Sequence, residues 1–240
     1  MIFKKIVCVL ILAFSLPFCS AAQNLSLIDY KSELGGHIGK TTYFGQIGGG
    51  TNTLRNTFGI YYRKALYKRF TISLNYEYLP LGANDSLSKN MEIQQRGFNF
   101  YRTFHEISFS LEYFFKSKNP YQYKMPKINP YIAIGMGYIL NLPTDHNNFK
   151  SYDYNYVKQV DQFFPITTIP MHIGIQYAYQ HNLLFFSEIN FRFTSSDLID
   201  HFGNAEPEKT KYGIFMPTNL GNDKFISFKI GFSKIIESQY

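Results

Sequence analysis

Cysteine is almost missing from this chain of 240 residues, which has two, Cys8 and Cys19. Both lie near its start, so the rest offers no thiol, no disulfide and no cysteine metal site. Charge is sparse as well, at 17% of residues with a net of +7. That balance, with no long basic run, is too mild for a nucleic-acid-binding protein. Long apolar runs are lacking too. The longest, Ile6–Phe18, has 13 residues, whereas a bilayer-spanning helix needs about 20. Apolar and aromatic residues, by contrast, make up 45% and 18% of the chain. This is enough to build a core, and it excludes disorder. The mixed composition excludes collagen and coiled-coil repeats.

The run Ile6–Phe18 reads as the apolar centre of a signal peptide. Lys4 and Lys5 precede it, and Ser20-Ala21-Ala22 supplies small residues for cleavage before Gln23. A lipoprotein anchor is excluded because bulky Phe18 stands before Cys19. The expected organisation is a signal peptide over 1–22 and a single domain over 23–240, exported and free of cysteine.

Beyond Gln23 the apolar period is two. Phe70, Ile72, Leu74, Tyr76 and Tyr78 share one face, while Thr71, Ser73, Asn75 and Glu77 share the other. The pattern recurs at Ile107–Phe115, Ile132–Leu140, Met171–Tyr179, Leu183–Phe193 and Ile226–Phe232. Weaker runs around Leu34–Thr42 and Arg55–Arg63 bring the strand count to eight. Each is about 9–11 residues, the length that crosses a bilayer when tilted.

The links between strands alternate in length. Lys64–Arg69, Lys116–Asn129 and Gln180–Asn182 are the shorter ones, the middle one somewhat stretched. Tyr43–Leu54, Leu79–Arg102, Asn141–Thr168 and Thr194–Lys224 are the longer ones. An antiparallel up-and-down meander then gathers all long loops at one end, as in outer-membrane barrels with short periplasmic turns. The apolar faces hold far more bulk than the lumen of an eight-stranded barrel admits, since that lumen takes only modest side chains. In a barrel those faces must look toward lipid, with Ser, Thr, Gly, Asn and Ala inside. Aromatics cluster near the short turns (Tyr62, Phe70, Phe115, Tyr177, Tyr179, Phe185) and near the long loops (Tyr76, Tyr78, Tyr138, Phe191, Phe193). Two such belts fit two membrane interfaces. A secreted β-sandwich could bury the same faces between sheets, but would not alternate its links so regularly.

On the face assigned inward stand Arg63, Glu77, Glu106, Glu112, His172, Glu188, Arg192 and Lys229. Charges in a narrow lumen survive as paired networks, so these are expected to form a salt-bridged plug rather than a transport path. No catalytic constellation is evident. His105 and Ser108 are three apart on one strand, hence on opposite faces, and the other histidines have no repeating ligand spacing. Gly48-Gly-Gly50 has no following helix and reads as a loop tip rather than a phosphate loop. No cofactor, metal or small-molecule substrate is expected. The short links carry Lys64, Lys68, Arg69, Lys116, Lys118, Lys124 and Lys127 without an acid, and Tyr121 and Tyr123 lie between Pro120 and Pro126. That end suits either lipid headgroups or an acidic periplasmic partner.

The ordered set Leu34-Gly-Gly-His-Ile-Gly39, Tyr43-Phe-Gly45, Phe58-Gly-Ile-Tyr-Tyr-Arg63, Pro130–Tyr138, Pro170–Tyr177 and Phe191–Asp200 resembles the PorG-like outer-membrane barrels of the type IX secretion system. The resemblance implies an eight-stranded barrel in the outer membrane. It also implies a non-enzymatic role in protein secretion, in contact with a periplasmic ring built from a lipoprotein and its partner. A stand-alone barrel that stabilises the envelope, or adheres through loops such as Asn141–Pro165, is the alternative.

Overall fold

The structure, a computed structural model, describes residues 32–45, 53–91, 94, 99–117, 127–141, 166–179, 182–195, 199 and 223–236. The expected signal peptide, Gly48–Gly50, and most of the two longest loops lie outside the described residues.

Eight strands follow in order: β1 (Ser32–Phe44), β2 (Arg55–Ala65), β3 (Phe70–Asn84), β4 (Asn99–Phe114), β5 (Ile128–Asn141), β6 (Ile166–Ala178), β7 (Leu183–Thr194) and β8 (Lys224–Ile236). Each pairs antiparallel with its neighbours in sequence, and β1 closes on β8. The result is an all-β, eight-stranded antiparallel up-and-down barrel. Among the described residues there is no open edge and no second stacked sheet, which removes the sandwich.

Register fixes the tilt. Direct partners followed once around the wall run Ser32, Lys64, Ile72, Leu111, Ile134, Met171, Phe191, Ile226 and back to Thr42, ten residues along β1. A stagger of ten over eight strands, at about 3.3 Å per residue and 4.8 Å per strand, inclines the strands by roughly 40°. The β5–β6 ladder breaks between Ile134↔Met171 and Gly137↔Thr168, where Pro170 brings no N–H.

Short turns are tied by backbone bonds, Leu66 N to Phe70 O at 2.9 Å and Tyr179 N to Leu183 O at 3.1 Å. At the β4–β5 turn Asn129 acts as an extra rung. Its Nδ2 donates to Lys116 O and its Oδ1 accepts from Lys116 N, both at 3.0 Å.

Two expectations need correction. β3 and β4 continue in register to Asn84↔Asn99, so the link between them is shorter than Leu79–Arg102. The lumen, moreover, is not confined to modest side chains: Tyr61, Phe104, Phe114, Tyr131, Leu184, Phe186 and Phe225 are buried inside. Glycine makes the room. A Cβ on Gly35 would strike the Tyr61 ring, one on Gly174 the Tyr131 ring and one on Gly231 the Phe186 ring.

Candidate functional site

The apolar faces point outward as the alternation requires. Ile38, Ile60, Leu74, Phe109, Ile134, Met136, Ile173, Ile230 and Phe232 are all exposed, several above half of their surface. Water-soluble proteins rarely expose an apolar patch beyond a few hundred Å², whereas here the entire wall is one band. Among the ring residues, Tyr62, Phe70, Phe115, Tyr179 and Phe185 are exposed at the short-turn end, and Tyr76, Tyr138 and Phe193 at the other. Tyr177, Tyr78 and Phe191 are half-buried. No helix among the described residues is long and apolar enough to cross a membrane; the strands cross it. A closed wall turns the backbone groups of its strands onto one another rather than toward hydrocarbon. The chain is an outer-membrane barrel.

Inside, all eight residues assigned to the lumen join one network. Arg63 Nε donates to Glu112 Oε1 at 2.8 Å, and its Nη2 lies 3.8 Å from Glu188 Oε2. Tyr131 donates to the same Glu188 oxygen at 2.7 Å. His172 Nδ1 and Lys229 Nζ approach Glu188 Oε1 at 3.2 and 3.7 Å. Lys229 also donates to Glu77 at 2.5 Å. Arg192 bridges Glu77 and Glu106, the latter at 2.7 Å through Nε. Thr57 and Thr168 complete these two carboxylates, each donating at 2.8 Å. The arrangement answers a local difficulty, because Glu77 and Glu106 are direct partners across β3 and β4. Like charges directly opposed repel, and one planar guanidinium reaching both removes the repulsion. Arg63 also lies over the rings of Tyr61, Phe186 and Tyr131 at 4.5, 4.8 and 5.2 Å.

Sequence reasoning missed three interior groups. Glu33 accepts from Gln176 Nε2 at 3.0 Å. His37 Nε2 stands 3.8 Å from Glu77, and Arg102 is buried beside the Phe104 ring, 5.4 Å from its centre. Extending the alternation of Leu34 and Ile38 would have placed Glu33 and His37 inside. Arg102 was hidden because its strand begins where a loop was expected.

Apolar residues close the lumen on both sides of the network. Toward the long loops Tyr43, Leu79, Leu81, Phe100, Phe104, Ile139, Ile166, Ile199 and Phe225 form a buried cluster. Ile199 is carried in by the β7–β8 loop, its N–H bonded to Asp223 Oδ2 at 3.0 Å. Asp223 also takes the Tyr43 hydroxyl. Toward the short turns Phe114 packs on Tyr131 at 5.0 Å between ring centres, and Leu184 and Ile235 are buried at the same end.

One substructure has catalytic order. Ser110 Oγ lies 3.5 Å from His172 Nε2, and His172 Nδ1 lies 3.2 Å from Glu188. Yet Ser110 is fully buried and Glu188 is shared with Lys229 and Tyr131. A nucleophile needs a reacting atom beside it, and Ser110 stands within the ion network, with buried apolar residues toward both ends. His105 is on the outer wall, its Nδ1 2.7 Å from Tyr76 OH, and Ser108 is buried on the inner face. Among the described residues no group of three or more His, Cys, Asp or Glu could hold a metal.

At the short-turn end Lys64, Lys68, Arg69, Lys116 and Lys127 are exposed, as is Lys234. Arg69 donates to Tyr113 OH at 3.0 Å. Among the described residues no exposed acid accompanies them. Lys118, Tyr121, Tyr123 and Lys124 lie outside the described residues.

No curated protein matches this chain. Among solved structures it is similar to Neisserial surface protein A, at 9% identity and TM-score 0.49 over 85% of this chain and 96% of that one. It is similar to OprG of Pseudomonas aeruginosa at 9% identity and TM-score 0.48, over 87% and 97%. A third likeness is Ail of Yersinia pestis, solved with the heparin analogue sucrose octasulfate, at 8% identity and TM-score 0.44 over 87% and 100%. A family model described as a domain of unknown function, DUF6089, matches residues 4–234, and the chain belongs to that family.

Proposed function

We propose that this barrel is a non-enzymatic, non-conducting membrane subunit of the type IX protein secretion machinery. In this reading its short turns face the periplasm and hold a ring component built on a lipoprotein. The observation that carries the docking role is the all-basic rim: Lys64, Lys68, Arg69, Lys116 and Lys127 stand exposed with no exposed acid among the described residues. Such a surface attracts an acidic protein face and steers its approach. The secretion assignment rests on the resemblance of the ordered strand motifs. The ion network and the apolar residues buried in the lumen support it indirectly, since a filled centre leaves the ends of the barrel to carry a role.

A deletion strain assayed for export of type IX cargo tests the assignment, and normal export would refute it. Replacing Lys116, Lys118, Lys124 and Lys127 together by Ser tests the docking face. Co-purification of the periplasmic complex is expected to be lost while the barrel still inserts; undiminished recovery would refute docking there. The adhesive alternative is favoured by β3 and β4, which stay paired beyond the outer aromatic ring to Asn84↔Asn99. It expects removal of residues 142–165 to change surface binding and leave export intact.

A further inference from the structure

Among the described residues the outer wall of the barrel is mostly bulky, and it has a depression around Gly36. Gly36 is surrounded by Leu34 and Ile38 on its own strand and by its direct partners Ile60 and Phe232. Ser187 sits likewise between its direct partners Ile175 and Ile230. A groove of about 750 Å³ crosses the wall here, its lining including Gly36, Ser187, Phe185, Ile230 and Phe232. Sites for small ligands span about 300–1,000 Å³.

Glycine at position 36 has no reason in the fold itself. A Cβ on Gly35, Gly39, Gly59, Gly135 or Gly231 would collide with a neighbouring backbone oxygen, and one on Gly174 with a ring. On Gly36 the nearest atom is Gly59 O at 3.4 Å, an ordinary contact, and the backbone there is plain strand. A side chain would fit, and would fill the groove. The missing side chain is therefore a feature of the surface and not of the packing.

Charge marks one mouth of the groove. Lys234 is the next outward residue of β8 after Phe232, and Lys64 is outward on β2. Lys234 pairs with Leu34 and Lys64 with Ser32, on either side of β1. Two strand spacings of about 4.8 Å and two residues of about 3.3 Å place their Cα atoms roughly 12 Å apart. Two extended lysine stems, snorkelling along the apolar wall, can meet on one phosphate across that gap. Both are exposed, whereas Glu33 beside them is turned inward onto Gln176.

We propose that this groove binds an anionic glycerophospholipid from the leaflet at the short-turn end. One acyl chain lies across Gly36 and Ser187 against Phe185, Ile230 and Phe232, and the phosphate rests between Lys64 and Lys234. The site needs no periplasmic partner and shares only Lys64 with the basic rim of the docking face.

Native mass spectrometry of the full-length barrel in detergent, titrated with phosphatidylglycerol or phosphatidylcholine, tests it. The wild type is expected to retain a phosphatidylglycerol adduct in preference to phosphatidylcholine. Lys64→Ser and Lys234→Ser should each weaken that adduct about fivefold, the factor matching about 1 kcal/mol per basic residue at an anionic surface. Gly36→Leu should remove the retention of either lipid, while Lys116→Ser on the β4–β5 turn leaves it unchanged. Faster gel migration before boiling than after verifies that each variant is folded. Equal retention of the two lipids, undiminished retention by Gly36→Leu, or a lipid-free dimer formed through this wall would each overturn the proposal.

Discussion

Arg192 holds two carboxylates that would otherwise face each other across adjacent strands. Its guanidinium bonds Glu77 and Glu106, its Nη1 donates to Ser227 at 2.9 Å, and Phe225 lies 5.2 Å from its centre. Deleting one member of a buried ion network strands the others, at about 3–5 kcal/mol. Arg192→Met should therefore lower the stability of the refolded barrel by that amount, read from urea unfolding in lipid vesicles. Adding Glu106→Gln should recover part of the loss, because the carboxylate that Arg192 leaves stranded is then neutral while Glu77 keeps Lys229. A second residue-scale test concerns Gly174 and Tyr131. The Cβ of an alanine at 174 would come within 2.6 Å of the Tyr131 ring and meets no backbone so closely. Gly174→Ala is expected to cost about 1–3 kcal/mol by overpacking, and much less when Tyr131→Ser is already present. An undiminished cost in that background would show that the ring is not what the glycine accommodates.

The strands carry their own lessons. Within the lipid-facing band, every residue that alternation assigned outward is outward, because hydrocarbon rewards Phe70, Ile72, Leu74, Tyr76 and Tyr78 on one face only. Past Tyr78 the rule inverts: Leu79, Leu81 and Ala83, with Phe100 and Phe104 opposite, turn inward. Beyond the bilayer the apolar side seeks the barrel axis, so a pattern read as apolar-outward loses its phase there. Pro80 and Gly82 break the run of large outward residues there, so the continuation was not legible. The same inversion conceals Arg102. The aromatic filling of the lumen was illegible for another reason, since a glycine and the ring it admits lie on strands far apart in sequence. Gly174 and Tyr131 come together only through the β5–β6 register. The β4–β5 turn offers a test at this scale. Asn129 is buried and makes both of its bonds to one backbone, that of Lys116. At about 1 kcal/mol per hydrogen bond, Asn129→Ala should cost about 2 kcal/mol and speed exchange of the Lys116 amide, with the rest of the ladder unchanged.

For the whole barrel, the question is whether the centre is a route or a brace. The charges form a connected network from Arg63 on the short-turn side to Arg192 on the other. An ion crossing it would have to break pairs in a region where each unpaired charge costs several kcal/mol. It would also have to pass Phe114, Leu184 and Ile235 at one end and Tyr43, Phe104 and Phe225 at the other, all buried. Apolar constrictions exclude water before they exclude ions. The purified barrel in a planar bilayer is accordingly expected to show no steady conductance. Phe104→Ala with Phe225→Ala should leave it closed, because the ion network beneath that layer remains. Because its pairs are buried and poorly screened, the urea midpoint should move little between low and molar salt. A stable, salt-dependent conductance in the native protein would turn the same residues into a pore lining and remove the premise that this barrel acts through its ends.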